Sequence, residues 1–133
     1  MFQAVSVGIL IKDHKVLLGL RKFEEVWEFP GGSVKKGEQP EETLIREFQE
    51  ELDIQIKEYE LANSFCYYKY KSRIIVLFYV TKWEGEIKKN CHTDLKWFSF
   101  KECKKYKVPN INPELLNRIL KILSKKIEIK VKK

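Results

Sequence analysis

Trp27–Ile54 reads WEFPGGSVKKGEQPEETLIREFQEELDI, and this stretch decides both the fold and the chemistry. Gly31-Gly32 lets the backbone turn sharply and exposes its amides and carbonyls. A polar turn follows at Lys35-Lys36-Gly37. Pro40 suits the first turn of a helix, where its missing N–H costs nothing. Glu41 and Glu42 complement the positive end of that helix. From Pro40 to about Leu52 the apolar residues Leu44, Ile45, Phe48 and Leu52 gather on one stripe at about 100° per residue. Glu47, Glu50 and Glu51 share another face, because residues three and four apart are helix neighbours. Carboxylates crowded in this way repel one another unless a cation lies between them. Hard oxygen donors select Mg²⁺ or Mn²⁺ over zinc. Arg46 lies beside the row and Glu38 precedes it in the loop.

Outward from this segment the chain alternates strands and turns. Gln3–Ile11 carries Val5, Val7, Ile9 and Ile11 at period two, the pattern of a strand. Asp13-His14 is a turn, and Lys15–Leu20 completes a hairpin. Trp27–Phe29 is a short strand stopped by Pro30-Gly31-Gly32. Ile54–Tyr70 and Arg73–Trp83 read as a second hairpin, the latter strand being the most apolar and central in its sheet. Leu95–Phe100 is a further strand. Asn112-Pro113 opens a second helix through Leu115, Leu116, Ile119, Leu120 and Leu123. The tail Ile127–Lys133 alternates apolar and charged residues, as a weak strand or a fraying extension does.

Composition bounds the answer. A chain of 133 residues, 44% apolar and 34% charged, is the size of one domain, here residues 1–133. The longest apolar run, Ile74–Val80, falls far short of the roughly 20 residues of a membrane-spanning helix. Aromatics at 13% argue against disorder. No basic stretch leads into an apolar run and a cleavage site at the N-terminus, so a cytoplasmic location is expected. Cys66, Cys91 and Cys103 are odd in number and widely spaced, which supports neither a disulfide framework nor a zinc motif. His14 and His92 fall in polar stretches and read as surface histidines. The net charge of +7 points to an anionic partner. Lysines outnumber arginines 22 to 4 and are spread along the chain without a dedicated nucleic-acid face. Their field favours the approach of a polyphosphate.

The central segment resembles the Nudix box, G-x5-E-x7-R-E-U-x-E-E-x-G-U, where U is a bulky apolar residue. Gly32, Glu38, Arg46-Glu47, Phe48, Glu50-Glu51 and Ile54 fill its positions with every spacing kept. Asp53 stands where the family has a glycine that ends the helix in a left-handed conformation, and Asp tolerates positive φ better than most residues. The runs Trp27–Gly32 and Trp83-Glu84-Gly85-Glu86 are similar to those of MutT-like nucleoside triphosphate pyrophosphohydrolases. The resemblance implies an α/β fold, an α/β/α sandwich with a mixed, curved β-sheet. It also implies hydrolysis of a nucleoside triphosphate, in some members an oxidised guanine nucleotide such as 8-oxo-dGTP, to a monophosphate and pyrophosphate. The expected cofactor is Mg²⁺, with Mn²⁺ an alternative, held by Glu47, Glu50, Glu51 and the Gly32 carbonyl. Glu38 either binds a metal through water or anchors the loop. Glu50 or Glu47 is the general base, and Arg46 orients the carboxylates. Metal-bound water is the attacking group.

For the substrate, the resemblance puts Arg21 at a phosphate-binding position, although it also reads as an ordinary strand-end arginine. Phe29 falls on the substrate side. Asn112 falls where the family reads a base, an N-cap being the other reading and Asn110 the other alignment. An acidic residue expected just before the aromatic of the last strand is Lys96 here, with Asp94 nearby as a substitute. Tyr67, Tyr68 and Tyr70 suggest a rival substrate, a dinucleoside polyphosphate or a 5′-capped RNA, to be stacked on a tyrosine. A non-catalytic binding module of the same fold is disfavoured by the retained carboxylates. No membrane partner is expected, and monomer and homodimer are both left open.

Overall fold

A computed structural model describes residues 3–67, 72–105 and 113–132 of the chain. Its elements in order are β1 (Gln3–Lys12), β2 (Lys15–Leu20), β3 (Trp27–Glu28), β4 (Gly31–Ser33), α1 (Pro40–Leu52), β5 (Gln55–Tyr67), β6 (Arg73–Glu84), β7 (Asp94–Ser99), α2 (Phe100–Cys103) and α3 (Pro113–Lys132). β1 is the hub. It runs parallel to β6 on one edge and antiparallel to both β2 and β4 on the other. β6 pairs with β5, while β2 carries β3 and β7. The sheet is therefore mixed.

The two faces of β1 explain the layers. Val5, Val7 and Ile9 join Ile75, Leu77 and Tyr79 beneath Leu115, Leu116, Ile119, Leu120 and Leu123 of α3. The opposite face, with Leu10, Leu17, Phe78 and Val80, packs on Leu44, Phe48 and Leu52 of α1. Helices on opposite faces of one sheet make the expected α/β/α sandwich. α1 approaches closely because Gly8 lies under it, where a Cβ would overlap the Phe48 ring. Ser6, fully buried on the same face, donates to the Pro40 carbonyl over 2.7 Å and ties the start of α1 to the sheet.

Several expectations need correction. The strand from Trp27 stops at Glu28, and Gly31–Ser33 is itself a strand, paired to β1 through Ser6 opposite Gly32. Glycine is required at position 31 by close approach: a Cβ there would overlap the Ser6 carbonyl. Ile45 is 37% exposed, and Thr43 takes its place on the buried side of α1. The tail is neither strand nor frayed, since α3 continues to Lys132. α2 is an unanticipated turn of helix, closed by a capping box in which Ser99 and Glu102 bond each other's backbone amides. The Asp13-His14 turn forms as expected, with φ of 51° and 60°, the backbone that joins twisted strands in a two-residue hairpin.

Asp53 does what the missing glycine would do. It adopts a left-handed conformation (φ 57°, ψ 35°) while its N–H bonds the Gln49 carbonyl. Its carboxylate accepts from Gln49 Nε2 at 3.0 Å and pairs with Lys88 at 3.3 Å. These local contacts offset part of the conformational cost of αL.

Candidate active site

β4 and α1 bring the glycine pair and the carboxylate row face to face. Arg46 joins them. Its Nε and Nη2 donate to the two oxygens of Glu38 at 2.8 and 2.9 Å, its Nη1 to Glu47 at 2.9 Å, and its Nη2 to the Ser33 carbonyl at 3.2 Å. Glu50 is a looser partner at 3.3 Å, with 55% of its side chain exposed. The planar guanidinium suits this branching, which a lysine ammonium would not reproduce.

Glu38 is tied down by four hydrogen bonds. Thr43 Oγ1 at 2.6 Å and the Lys35 amide at 3.1 Å join the two Arg46 bonds. Three of these bonds converge on Oε1, and Oε2 accepts only from Arg46 Nε. The bonds from Arg46 above all, then that from Thr43, hold its pKa down at about 2. Glu47 lies flat against β4. A Cβ on Gly32 would overlap its carboxylate, so the glycine is required by this approach and not by a special backbone angle.

Glu51 is the contrasting member. Its Oε2 accepts from the Gly31 amide at 3.1 Å and its Oε1 from the Cys91 thiol at 3.4 Å. Burial pushes its pKa up to about 7, and the charges of Glu47 and Glu28 add to that, against the opposing effects of His92 and the Cys91 thiol. A half-buried carboxyl raised in this way, beside further carboxylates, is the setting that a divalent cation would stabilise. The oxygen donors of Glu47, Glu50 and Glu51 fit a hard ion such as Mg²⁺.

That shift has a consequence for stability. A carboxyl raised from 4.5 to about 7 contributes stability below pH 4.5 that is lost as the pH rises through 7. Glu51→Gln resembles the protonated form. In metal-free protein it is expected to match wild type near pH 4.5 and to exceed it at pH 8, by up to about 3 kcal/mol. Urea unfolding in chelator at both pH values measures this, and equal stabilities at pH 8 would contradict the assignment.

The loop before β7 closes the end of α1. Lys88 N–H bonds the Leu52 carbonyl at 2.8 Å, and Asn90 bonds Glu51 and Glu50 carbonyls through its N–H and Nδ2, both at 3.2 Å. Two residues beyond Asn90 is His92, which was expected at the surface and is 4% exposed. Its Nε2 is 3.2 Å from Glu28 Oε1. Its ring lies over Gly19, where a Cβ would overlap it. The group facing Glu51 from this loop is thus Cys91. Asp94 is exposed and bonds its neighbour Leu95, while Lys96 places its ammonium 5.4 Å from the Phe98 ring centroid.

Beside this corner is an open cleft of about 300 Å³, lined by Arg21, Phe23, Glu28, Cys91 and His92 among others. Arg21 is in it, held by Glu28 at 2.6 Å and Glu24 at 2.7 Å. Phe29 is not. It is 1% exposed within the core on the α3 side, because its backbone leaves β3 directed into the sandwich, so its ring presents no surface to substrate. Phe23 escaped the sequence reading altogether and is 95% exposed at the cleft. A large ring before two glutamates in a loop carries no periodic signal to mark it. Asn110 and Asn112 lie outside the described residues, as do Tyr68 and Tyr70.

The comparisons agree with the architecture. The NUDIX domain model matches residues 2–119. The 8-oxo-dGTP diphosphatase of Buchnera aphidicola subsp. Schizaphis graminum is 28% identical over 123 residues, 90% of this chain and 94% of its own. The CTP pyrophosphohydrolase of Escherichia coli is 30% identical over 124 residues, 87% of this chain and 90% of its own. Among solved structures, a MutT of the Aliivibrio salmonicida and Vibrio cholerae pair superposes with a TM-score of 0.78 at 22% identity, covering 90% of this chain and 98% of the other. The chain belongs to the NUDIX domain family and is a Nudix hydrolase of the MutT-like, pyrophosphohydrolase class. Among the described residues no helix is long and apolar enough to cross a membrane.

Proposed function

We propose that the chain hydrolyses a nucleoside triphosphate to a nucleoside monophosphate and pyrophosphate with Mg²⁺, Mn²⁺ being an alternative ion, and that its substrates include oxidised purines such as 8-oxo-dGTP. The observation that carries this reading is the row Glu47, Glu50 and Glu51 on α1, with Glu47 against Gly32, Glu51 bonded to the Gly31 amide, and Cys91 joining Glu51 to a cleft that Arg21 also lines. The relatives named above for mononucleotides, 8-oxo-dGTP and CTP, align with 90% and 87% of this chain, whereas those named RNA pyrophosphohydrolase align with 38% to 50% of it.

Glu47, Glu50 and Glu51, with the Gly32 carbonyl, would hold the cation, which when bound supplies positive charge against the polyphosphate and activates the attacking water. Glu38 is held by Arg46, Thr43 and the Lys35 amide, which supports a role in anchoring the loop and Arg46. Arg46 in turn sets the direction of the Glu47 carboxylate. Glu50 is the more exposed and less constrained of the two base candidates and takes the proton. Arg21 offers charge to a phosphate from the cleft, and the exposed Phe23 ring offers a stacking face to the base.

A substrate panel tests this. With Mg²⁺, pyrophosphate release is expected from dGTP, 8-oxo-dGTP or CTP, and chelator is expected to abolish it. Turnover confined to dinucleoside polyphosphates or capped RNA would overturn the mononucleotide reading. Binding without turnover of any of them would point to a non-catalytic module.

A further inference from the structure

Among the described residues, Glu51, Cys91 and His92 bring three unlike donors within 4.8 Å of one another. We propose that they form a second metal site, for a thiophilic divalent ion of the Zn²⁺ or Cd²⁺ type, which shares Glu51 with the carboxylate row.

The spacing fits. Cys91 Sγ lies 3.4 Å from Glu51 Oε1 and 3.8 Å from His92 Nδ1. A tetrahedral zinc with bonds of about 2.0–2.3 Å separates its donors by about 3.4–3.6 Å. With all three donors within 4.8 Å of one another, closing the site needs a movement of the Glu51 carboxylate and the thiol of no more than about 1.4 Å. The imidazole is already oriented. A neutral ring that donates from Nε2 to Glu28 leaves the Nδ1 lone pair toward Cys91. Glu28 is fixed in turn by Arg21 at 2.6 Å. A carboxylate behind the ligating histidine is the usual support of such sites.

The backbone on either side of the pair is pinned. Before it, Asn90 bonds the Glu50 and Glu51 carbonyls. After it, Thr93 bonds the Leu20 carbonyl through its N–H at 2.9 Å and its hydroxyl at 3.0 Å. Cys91 is exposed, so an ion reaches the site from solvent. The donor chemistry separates the two sites. Sulfur and imidazole favour zinc and cadmium, whereas Glu47 and Glu50 offer only oxygen to Mg²⁺. On binding, the Cys91 thiol gives its proton to solvent and the sulfur its electron pair to the ion. A coordination position stays open to water. If the proposed hydrolysis holds, an ion here draws Glu51 away from the row and inhibits it. The binding itself does not depend on that reading.

The test uses the full chain without nucleotide or Mg²⁺, titrated with Cd²⁺ and followed by the ultraviolet thiolate-to-cadmium charge-transfer band. One equivalent is expected to saturate the band, and Zn²⁺ to displace it. Cys66→Ser should keep the band, Cys91→Ser should lose it, and Glu51→Gln should weaken binding by roughly tenfold or more. A band of unchanged size and midpoint in Cys91→Ser would overturn the site. In a pyrophosphate-release assay, micromolar Zn²⁺ should inhibit wild type at least tenfold more strongly than Cys91→Ser. A normal band in a protein that turns over no nucleotide would leave the metal site standing and reject the proposed hydrolysis.

Discussion

Glu50→Gln is expected to lower turnover by on the order of 10²- to 10⁴-fold, the range for loss of a positioned general base, while the thermal unfolding midpoint stays within a few degrees. The side chain is more than half exposed and its contact with Arg46 is long, so the fold rests little on it. Gln keeps the shape and removes the charge, and with it both proton acceptance and ion binding. Steady-state assays over a range of Mg²⁺ concentrations separate the two losses. If the defect is in proton transfer, saturating Mg²⁺ leaves kcat low. If it is mainly in ion affinity, added Mg²⁺ restores kcat. Near-wild-type turnover at all concentrations would remove Glu50 from the mechanism.

The second large effect comes from two adjacent glycines that are expected to respond in opposite ways. A Cβ on Gly32 meets the far end of the Glu47 side chain, which can swing aside. Gly32→Ala should therefore change stability by under about 1 kcal/mol, partly offset by the reduced freedom of the unfolded chain. Turnover should fall on the order of 100-fold, because a carboxylate displaced by about 1 Å no longer lies where the reaction needs it. A Cβ on Gly31 meets the backbone carbonyl of Ser6 and the Cα of Val7, neither of which can move without parting β4 from β1. Gly31→Ala should cost about 3 kcal/mol or more in stability. Unfolding midpoints and turnover measured side by side decide the matter. Equal stability losses at the two positions would refute the division of roles between them.

Much of this was legible in the sequence because it is local. The helix over Pro40–Leu52 follows from proline at its start, acidic residues in its first turn and an apolar stripe. The left-handed Asp53 follows from the position at which the helix must stop. Period-two alternation marked β1 and placed Val5, Val7 and Ile9 on one face. Gly31–Ser33 was missed as a strand because three small or polar residues have no alternation, and their pairing with Ser6 is a long-range fact. The capping box of α2 was readable as Ser99-x-x-Glu102. The tail, alternating on paper, is helical in the structure because α3 is already nucleated upstream and elongation costs little.

The sequence by itself determined the carboxylate row, its spacing and the hard-ion chemistry that the spacing implies, since residues three and four apart on a helix are neighbours whatever surrounds them. Only the tertiary structure decided which carboxylate does what. Glu38 is paired with Arg46, Glu47 is pressed on Gly32, Glu50 is left open to solvent, and Glu51 is half-buried against Cys91. Burial and partner contacts 20 to 40 residues away in the chain set these differences. A local pattern cannot encode them, because the energy of a charge depends on what the fold packs around it.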